Sequence, residues 1–232
     1  MSDNRRGTPG RPTADERGGQ VATAQRLLLG AAGLFREKGY AATTTRELSA
    51  LAGIQNGSLY HHVGGKEDLL YKLCVAALDD VAAIFTATAA EKMEPARKLE
   101  QIARDYVVQA LRDRDRHATM LSEIRALSPA HREEVIARRD ENVRLVEDIV
   151  ADAQRVKQIR DDIEPKYLTL ALFNLLNWTI FWFDPEAELS EQGIAEILCS
   201  VFFDGANRRE TGGKAGKTAK AASKPRTTKK RG

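Results

Sequence analysis

A short polar stretch, Gln55 to His62, brings together side chains that could recognise nucleic acid. Gln and Asn amides can pair bidentately with adenine, and hydroxyl and imidazole groups are suited to phosphate oxygens. On this chemistry, Gln55 and Asn56 are candidate base-reading residues for double-stranded DNA. Any short polar helix carries such residue types, so the interpretation depends on the elements that hold them.

A helix is predicted immediately before this stretch. Thr44 and Glu47 have the spacing of a capping box, in which side chains satisfy free backbone N–H groups at a helix start. Gly53 stands where a helix end needs a residue that accepts a positive φ. Between them, apolar residues repeat at the spacing of a buried helix face: Leu48, Leu51 and Ala52. A second helix after the glycine would complete a helix-turn-helix, which sets a helix into the major groove.

The segment from Leu27 to Leu70 resembles the TetR family of bacterial one-component repressors. In that family an amphipathic first helix ends in a Phe and a Gly-Tyr pair, and a Thr-rich cap, an Ala-Gly-Ile turn and a Gly-Ser-Leu-Tyr block follow. The matching positions are Phe35, Gly39-Tyr40, Thr43–Thr45, Ala52–Ile54, Gly57–His62 and Lys66–Leu70. The resemblance implies an all-α fold, with an N-terminal helix-turn-helix domain of three helices and a C-terminal helical bundle for ligand binding and dimerisation.

The resemblance also implies roles for individual residues. Those expected at phosphates are Thr44, Tyr60, His61 and Lys66. Those expected to face bases are Gln55, Asn56, Arg46 and Ser58, and Thr45 belongs to the same surface. Two alternatives stay open, because the Tyr60 ring could pack against the first helix and Lys66 could simply begin the fourth. The chain departs from the family pattern at three positions: Gln55, Val63 and Gly65 replace a common Ser, Phe and Ser.

Composition argues against several other classes of protein. The 232-residue chain has only two cysteines, Cys74 and Cys199, without a Cys-x-x-Cys pair, which disfavours a disulfide framework or a zinc site. The segment from Met1 to Gln20 lacks the apolar core of a signal peptide. The stretch that looks most apolar, Tyr167 to Phe183, is interrupted by threonines and asparagines, so no membrane span is expected. These features favour a cytoplasmic protein without a membrane anchor.

An enzyme would need nucleophiles, bases or metal ligands that converge on one place. His61 and His62 belong to the polar stretch, and His117 and His131 are isolated in charged segments. No stretch shows the alternation typical of a strand, so no strand precedes a glycine-rich phosphate loop. We therefore expect no catalysis, no cofactor and no metal site.

Both ends of the chain are basic. Residues 1–18 mix arginines with glycine and proline, and Arg11 is either a minor-groove contact or part of a flexible leader. Residues 209–232 are a tail predicted to be disordered. Within it, residues 211–232 hold eight Lys and Arg and no acidic residue. The formal net charge of the whole chain is +3, so residues 1–210 carry a net charge of about −5. The tail would serve either as a non-specific DNA tether or as a solubilising extension.

The chain between these ends is predicted to be helical throughout. The first helix should run from about Gly19 to Lys38 and the fourth from about Lys66 to Ala90. Residues 19–65 would then form the DNA-binding domain and residues 66–208 the effector-binding and dimerisation domain. Prolines and capping residues predict four further helices: Pro95–Leu111, Pro129–Gln154, Pro165–Phe183 and a last one spanning Ile194–Phe202.

The segment from Pro165 to Phe183 is apolar on nearly every side and should therefore be buried on every side. One modest bundle cannot do this alone, which predicts a homodimer whose last two helices pair with their copies. Alternatively, part of the segment would line an effector pocket, formed by Phe173, Asn177, Trp178, Phe181 and Trp182.

This aromatic segment is similar to TetR-type regulators of lipid and steroid breakdown whose effectors are acyl-CoA thioesters. That resemblance implies that arginines of helices five to seven could meet CoA phosphates, the candidates being Arg104, Arg112, Arg125, Arg138 and Arg139. A solvated charged face is the alternative for each of them.

The expected function is a dimeric repressor that leaves a near-palindromic operator when a small hydrophobic effector, an acyl-CoA in the subgroup resemblance, binds. Three rivals stay open. They are a TetR-type regulator that responds to another hydrophobic ligand, a non-specific nucleoid-type DNA-binding protein, and a helical scaffold whose helix-turn-helix serves only packing.

Overall fold

The computed structural model describes residues 14–206 of the protein, with the side chains of residues 23–205 apart from Asn56 and His61. Arg11 and the predicted tail at 209–232 lie outside the described residues. The first helix begins at Ala14 rather than near Gly19, so the end of the predicted arm is helical.

Nine α-helices and no strand occur within the described residues. They are α1 Ala14–Lys38, α2 Thr45–Ala52, α3 Leu59–Val63, α4 Lys66–Ala90, α5 Pro95–Arg112, α6 Arg114–Glu123, α7 Pro129–Arg155, α8 Pro165–Trp182 and α9 Glu191–Ala206. The all-α expectation is confirmed, but the sequence interpretation gave no bounds for α6, although it placed His117 in a charged helix. That helix begins with Arg114-Asp115-Arg116-His117. Because this first turn is charged, the sequence pattern does not show which face of α6 is buried.

Proline at the first helical position starts α5, α7 and α8, as predicted. Proline is tolerated there because the N–H that it lacks has no partner inside the helix anyway. Ser128 also caps α7 by accepting a hydrogen bond from the His131 backbone N–H at 3.5 Å. The predicted starts of these helices therefore follow from local chemistry.

Two hydrophobic cores organise the molecule, and we call them the head core and the body core. The head core joins α1 to α3 and the first half of α4, with Phe35, Leu48 and Leu59 almost completely buried. It also receives side chains from beyond the predicted boundary at residue 65, namely Met120, Leu127 and Val135. The body core joins the second half of α4 to α5 through α9.

Helix α4 belongs to both cores. Leu70 and Leu73 are buried in the head core, and Val81 and Phe85, two to four turns further along the same helix, are buried in the body core. A rigid helix shared in this way connects the position of the head to the packing of the body.

The same helix is the one described segment that is long and apolar enough to cross a membrane, by length and composition only. The sequence interpretation placed the most apolar stretch in α8 and missed this property of α4. The signal is weak, because the core helix of a globular protein passes the same test. Nine buried residues along α4 account for its composition.

Leu51 is an exception to the predicted buried face of α2. Its side chain is 51% exposed and lies against Gly30 of α1, whereas Leu48 and Ala52 are buried. An eight-residue helix buries a narrow stripe, so Leu51 falls on its flank.

Replacing Phe85 by Ala should destabilise the protein by about 3–5 kcal/mol, because truncation of a buried aromatic leaves a cavity. Phe85 is completely buried and its ring contacts the rings of Tyr106 and Phe173. Urea unfolding followed by circular dichroism measures the change. The matched control is Thr86→Ala, at the exposed neighbouring position, and an equal effect of both variants would contradict the assignment of Phe85 to the core.

Candidate nucleic-acid interface and ligand cavity

The predicted capping box at the start of α2 is confirmed. The Thr44 hydroxyl oxygen accepts from the Glu47 backbone N–H at 3.3 Å, and Glu47 Oε2 accepts from the Thr44 backbone N–H at 2.8 Å. Lys38 donates to the same carboxylate from the end of α1. The Lys38 hydrogen bond, with the Thr44 bonds next, lowers the pKa of Glu47 to about 2. The start of α2 is thus tied to the end of α1.

The turn after α2 has the predicted left-handed glycine. Gly53 has φ of 67°, and its N–H donates to the carbonyls of Ala50 and Ser49. Gln55 follows at the head of a short 3-10 turn, Asn56–Ser58, and its side chain forms no capping hydrogen bond. The exposed Gln55 amide therefore keeps its donor and acceptor available for a partner outside the protein.

The predicted DNA-contact residues differ in their exposure. Arg46 and Thr44 are exposed, and Thr45 and Ser58 are half-buried. Tyr60 is 58% exposed, so its ring is not buried against the first helix. Leu59 and Val63 on the opposite side of α3 are buried in the head core. The side chains of Asn56 and His61 lie outside those the structure describes.

Lys66 has a different position from the one expected for a phosphate ligand. Its ammonium donates to the backbone carbonyls of Tyr40 and Thr43, both at 2.9 Å, and lies 4.2 Å from the centre of the Tyr40 ring. Two of its three N–H donors and one face of the cation are therefore used inside the head. This contact joins the start of α4 to the loop after α1 and gives Lys66 a structural role, while the phosphate contact of its third N–H stays a prediction.

A cavity of about 350 Å³ lies in the body between α4, α5, α6, α7 and α8. Its walls are mainly apolar and include Val81, Phe85, Met120, Leu121, Leu170 and Phe173. Its polar groups include the hydroxyl of buried Tyr106, which donates to the Asn177 side-chain carbonyl. A mostly apolar pocket with a few placed polar groups is typical of a small-molecule site.

The structure separates the five residues that were predicted to form one effector pocket. Phe173 and Asn177 line the cavity, four residues apart on one face of α8. Trp178, Phe181 and Trp182 are instead 67%, 46% and 51% exposed and do not line it. Rotation of about 100° per residue turns Trp178 and Trp182 away from Phe173 and Asn177, whereas Phe181 follows Asn177 by one turn and lies beyond the last residue of α8 that lines the cavity.

The five arginines predicted to meet CoA phosphates differ in whether they line the cavity. Of those five, Arg139 lines the cavity, where it pairs with Asp140 at 2.9 Å. Arg138, its neighbour on α7, pairs with Asp79 and Glu134 instead. Arg139 is therefore the predicted arginine that stands where an anionic group of a ligand would reach the cavity wall.

The exposed aromatic residues of α8 continue into a larger surface. We call it the outer apolar face; it consists of Tyr167, Leu170, Trp178, Phe181 and Trp182 on α8 with Ile197 and Val201 on α9. Each of these side chains is at least 41% exposed. The single chain leaves this side of α8 exposed, so the predicted burial on every side would need a second copy. Large apolar side chains that lie exposed on two helices in contact with each other are typical of an interaction surface.

A wider cleft of about 770 Å³ lies between α1, α4 and the junction of α5 and α6. Its cations are largely engaged with protein groups: Arg116 pairs with Asp80 and Asp113, and Arg114 donates to the Ile180 carbonyl at 2.7 Å. The smaller cavity is the better candidate for an apolar ligand, because it lies among core residues of five helices.

Two family models match this chain. The model of bacterial regulatory proteins of the tetR family matches residues 27–73, and the tetracyclin repressor-like C-terminal domain matches residues 92–206. Together they cover most of the head and the body. The chain belongs to the TetR family.

Relatives and solved structures agree with this membership. The chain is 36% identical over 91 residues to the HTH-type transcriptional repressor KstR2 of Rhodococcus jostii strain RHA1. The aligned residues make up 39% of this chain and 45% of the relative. The matched segment thus spans less than half of that curated relative.

The fold is similar to that of the TetR-family transcriptional regulator PfmR from Thermus thermophilus, with TM-score 0.73, 29% identity and coverage of 79% and 100% of the two chains. AibR, solved in complex with isovaleryl coenzyme A and operator DNA, has TM-score 0.72, 23% identity and coverage of 78% and 98%. At that identity, the likeness to AibR concerns the fold alone.

Replacing Lys66 by Met should lower the free energy of unfolding by about 1–3 kcal/mol, because the carbonyls of Tyr40 and Thr43 lose their shared donor. Chemical unfolding without DNA measures this change. Lys72→Met is the matched control, since exposed Lys72 forms only a one-turn ion pair with Asp68. An unchanged stability of Lys66→Met, together with weaker DNA binding, would restore the phosphate role.

Proposed function

We propose that this protein is a cytoplasmic transcriptional repressor. Two copies bind a near-palindromic operator through α2 and α3, and a small hydrophobic effector that enters the body cavity releases them from the DNA. The observation that carries the proposal is the continuity of α4, which begins in the DNA-reading head and ends on the cavity wall. This function needs no catalytic group and no cofactor.

The exposed surface of α2 and α3 supports operator binding. Gln55 and Arg46 would contact base edges, together with Asn56 and Ser58, and Tyr60, His61 and Thr44 with Thr45 would hold the sugar-phosphate backbone. The capping box already uses the Thr44 hydroxyl. The backbone next to Thr44, and not a free hydroxyl group, would therefore approach the phosphate. Residues 19–65 would act as the DNA-binding domain and residues 66–208 as the effector-binding and dimerisation domain.

The outer apolar face supports a homodimer. Large apolar side chains that lie exposed on two neighbouring helices become buried if α8 and α9 of one copy pack on α8 and α9 of the other across a two-fold axis. The two α3 helices could then enter successive major grooves about 34–36 Å apart. A near-palindromic operator follows from this symmetry.

The body cavity supports a hydrophobic effector. Its 350 Å³ lies within the usual range for small-molecule sites, roughly 300–1,000 Å³. An acyl-CoA is the candidate class, because AibR, a neighbour in fold, was solved with isovaleryl coenzyme A. The acyl group would occupy the apolar walls, and Arg139, now paired with Asp140, would turn to the CoA portion.

Helix α4 would transmit the effector signal. Leu78, Val81 and Phe85 line the cavity, so a ligand that displaces them displaces α4. Asn142 of α7 donates to the Leu78 carbonyl at 3.1 Å. At the head end, Glu67 accepts from the Ser128 N–H at 2.9 Å and pairs with His131 at 3.0 Å. A ligand that favours a shifted α4 must weaken operator binding by the same coupling free energy.

The decisive experiment measures binding of the full chain to DNA that flanks its own gene, at fixed salt and with competitor DNA. A panel of fatty and steroid acyl-CoA thioesters is then added. Specific binding that one thioester releases would support repressor and effector class together. Specific binding that every thioester leaves unchanged would discard the acyl-CoA assignment, and binding without sequence preference would favour a nucleoid-type protein.

Gln55→Ala should weaken specific operator binding by about 1–3 kcal/mol, the usual value of one bidentate base contact. Binding to random DNA should change little, because it depends mainly on phosphates. Fluorescence anisotropy with both DNAs separates these effects. Gln109→Ala, the same change on α5 in the body, is the control and should leave both affinities unchanged. Equal losses on specific and random DNA would remove Gln55 from base recognition.

Trp178→Glu should convert the dimer to monomers, because it places a charge in the middle of the outer apolar face. Sedimentation velocity measures the mass in solution, and operator affinity should fall in parallel. The control is Leu29→Glu, since Leu29 is 74% exposed on α1, away from this face. A Trp178→Glu protein that stays dimeric would show that the two copies associate through a different surface.

A further inference from the structure

The wider cleft between α1, α4 and the α5–α6 junction has an apolar floor. We call it the junction cleft; its floor is formed by Leu28, Leu29 and Ala32 of α1 with Leu73 and Ala76 of α4. Leu29 is 74% exposed, the largest exposed fraction among the large apolar side chains of the described residues. The lining face of α1 starts at Gln25 and ends at Ala32, about 10 Å further along the helix axis. The floor is therefore long enough to hold a medium-length aliphatic chain.

The opposite wall of the junction cleft, residues 112–116, carries charges that mostly have partners. These pairs join Arg116 to Asp80 and Asp113, and Asp115 to Arg36 at 2.6 Å. Arg112 differs, because it is exposed and forms no hydrogen bond or ion pair with any residue that the structure describes. One uncommitted guanidinium group thus lines the same cleft as the apolar floor.

The charges around Arg112 favour one kind of anion. A guanidinium group offers a planar pair of N–H donors that matches the two oxygens of a carboxylate. A phosphate monoester fits the same donors, but it carries a larger negative charge near pH 7. Asp113 and Asp115 also line the cleft, so they repel the larger charge more strongly. A carboxylate with a single negative charge is therefore the better match.

The junction cleft lies where the head and the body are in direct contact. The Thr119 hydroxyl of α6 donates to the Ala32 carbonyl of α1 at 3.2 Å. Arg36 of α1 pairs with Asp115 of α6. Ala32 and Asp115 both line the cleft, so a molecule that fills it would touch both sides of this contact. Such a ligand would add a further link between the head and the body.

We propose that the junction cleft binds an amphipathic carboxylate. Its aliphatic chain covers Leu28, Leu29 and Ala76, and its carboxylate pairs with the guanidinium group of Arg112. Burial of the chain drives binding, and the ion pair decides which head group is accepted. The junction cleft shares none of its described lining residues with the body cavity, and the inference does not rest on the effector proposed there.

The test locates an aliphatic acid on the full-length protein by photolabelling. A diazirine derivative of octanoate is bound and irradiated, and peptide mass spectrometry identifies the labelled segments. The label should appear on the α1 and α4 segments that contain Leu29 and Ala76. Octanoate, octanol and octyl phosphate are then added as competitors, and the loss of label from the α1 segment gives the affinity of each for this cleft. We expect octanoate to compete about tenfold more strongly than octanol, and more strongly than octyl phosphate.

Variants separate recognition of the head group from burial of the chain. Arg112→Gln keeps a polar side chain but removes the charge, so it should weaken competition by octanoate about tenfold and leave competition by octanol unchanged. The matched control is Arg97→Gln, since Arg97 is an exposed arginine of the same helix that pairs with Glu100 and does not line the cleft. This control should keep both affinities. Photolabelling of the unmodified protein locates the site even if a variant fails to fold.

The position of the label distinguishes the two sites. Label on the α8 segment that contains Phe173, or no label above background, would overturn the junction cleft as a binding site and leave the effector role of the body cavity untouched. Equal competition by octanoate and octanol, or stronger competition by octyl phosphate, would overturn the choice of a carboxylate. Equal losses in Arg112→Gln and Arg97→Gln would remove Arg112 from the site.

Discussion

The structure depends on one helix that must satisfy two hydrophobic cores. Helix α4 buries Leu70 and Leu73 against the DNA-reading head, and it buries Val81 and Phe85 against the body. Close-packed side chains do not slide continuously, so in the proposed mechanism a change at one end of the helix would be passed on as a shift of the whole helix. The same burial makes the helix apolar enough to resemble a membrane span. Its composition and its role as a connector therefore have a single cause.

The head combines a rigid frame with a polar outer surface. The capping box of Thr44 and Glu47, the Lys38 ion pair and the Lys66 bonds to the loop carbonyls hold the ends of α1, α2 and α4 together. These contacts leave Gln55 and Tyr60 exposed on a surface whose backbone is well supported. A side chain on a supported backbone loses less conformational entropy on binding than one on a mobile loop.

Much of the local structure could be predicted because short-range chemistry decides it. The capping box, the left-handed Gly53 and the prolines that start α5, α7 and α8 depend on neighbours within a few residues. The bounds and the buried face of α6 escaped prediction because its first turn is charged and its buried residues include polar His117 and Thr119. Thr119 donates to the Ala32 carbonyl at 3.2 Å, a partner 87 residues away that no local pattern reveals.

Sequence alone established the family, the all-α class and the helix-turn-helix, because residue types and short spacings carry that information. It also identified α8 as an aromatic helix, but it assigned Phe173, Asn177, Trp178, Phe181 and Trp182 to one pocket. Folding divides them, since the packing of α8 on α5, α6 and α7 turns Phe173 and Asn177 inward and leaves the other three outside. Lys66 likewise acquired its role from partners distant in sequence, the carbonyls of Tyr40 and Thr43. Which side of a helix faces a neighbour depends on the whole arrangement of helices, and local spacing does not encode it.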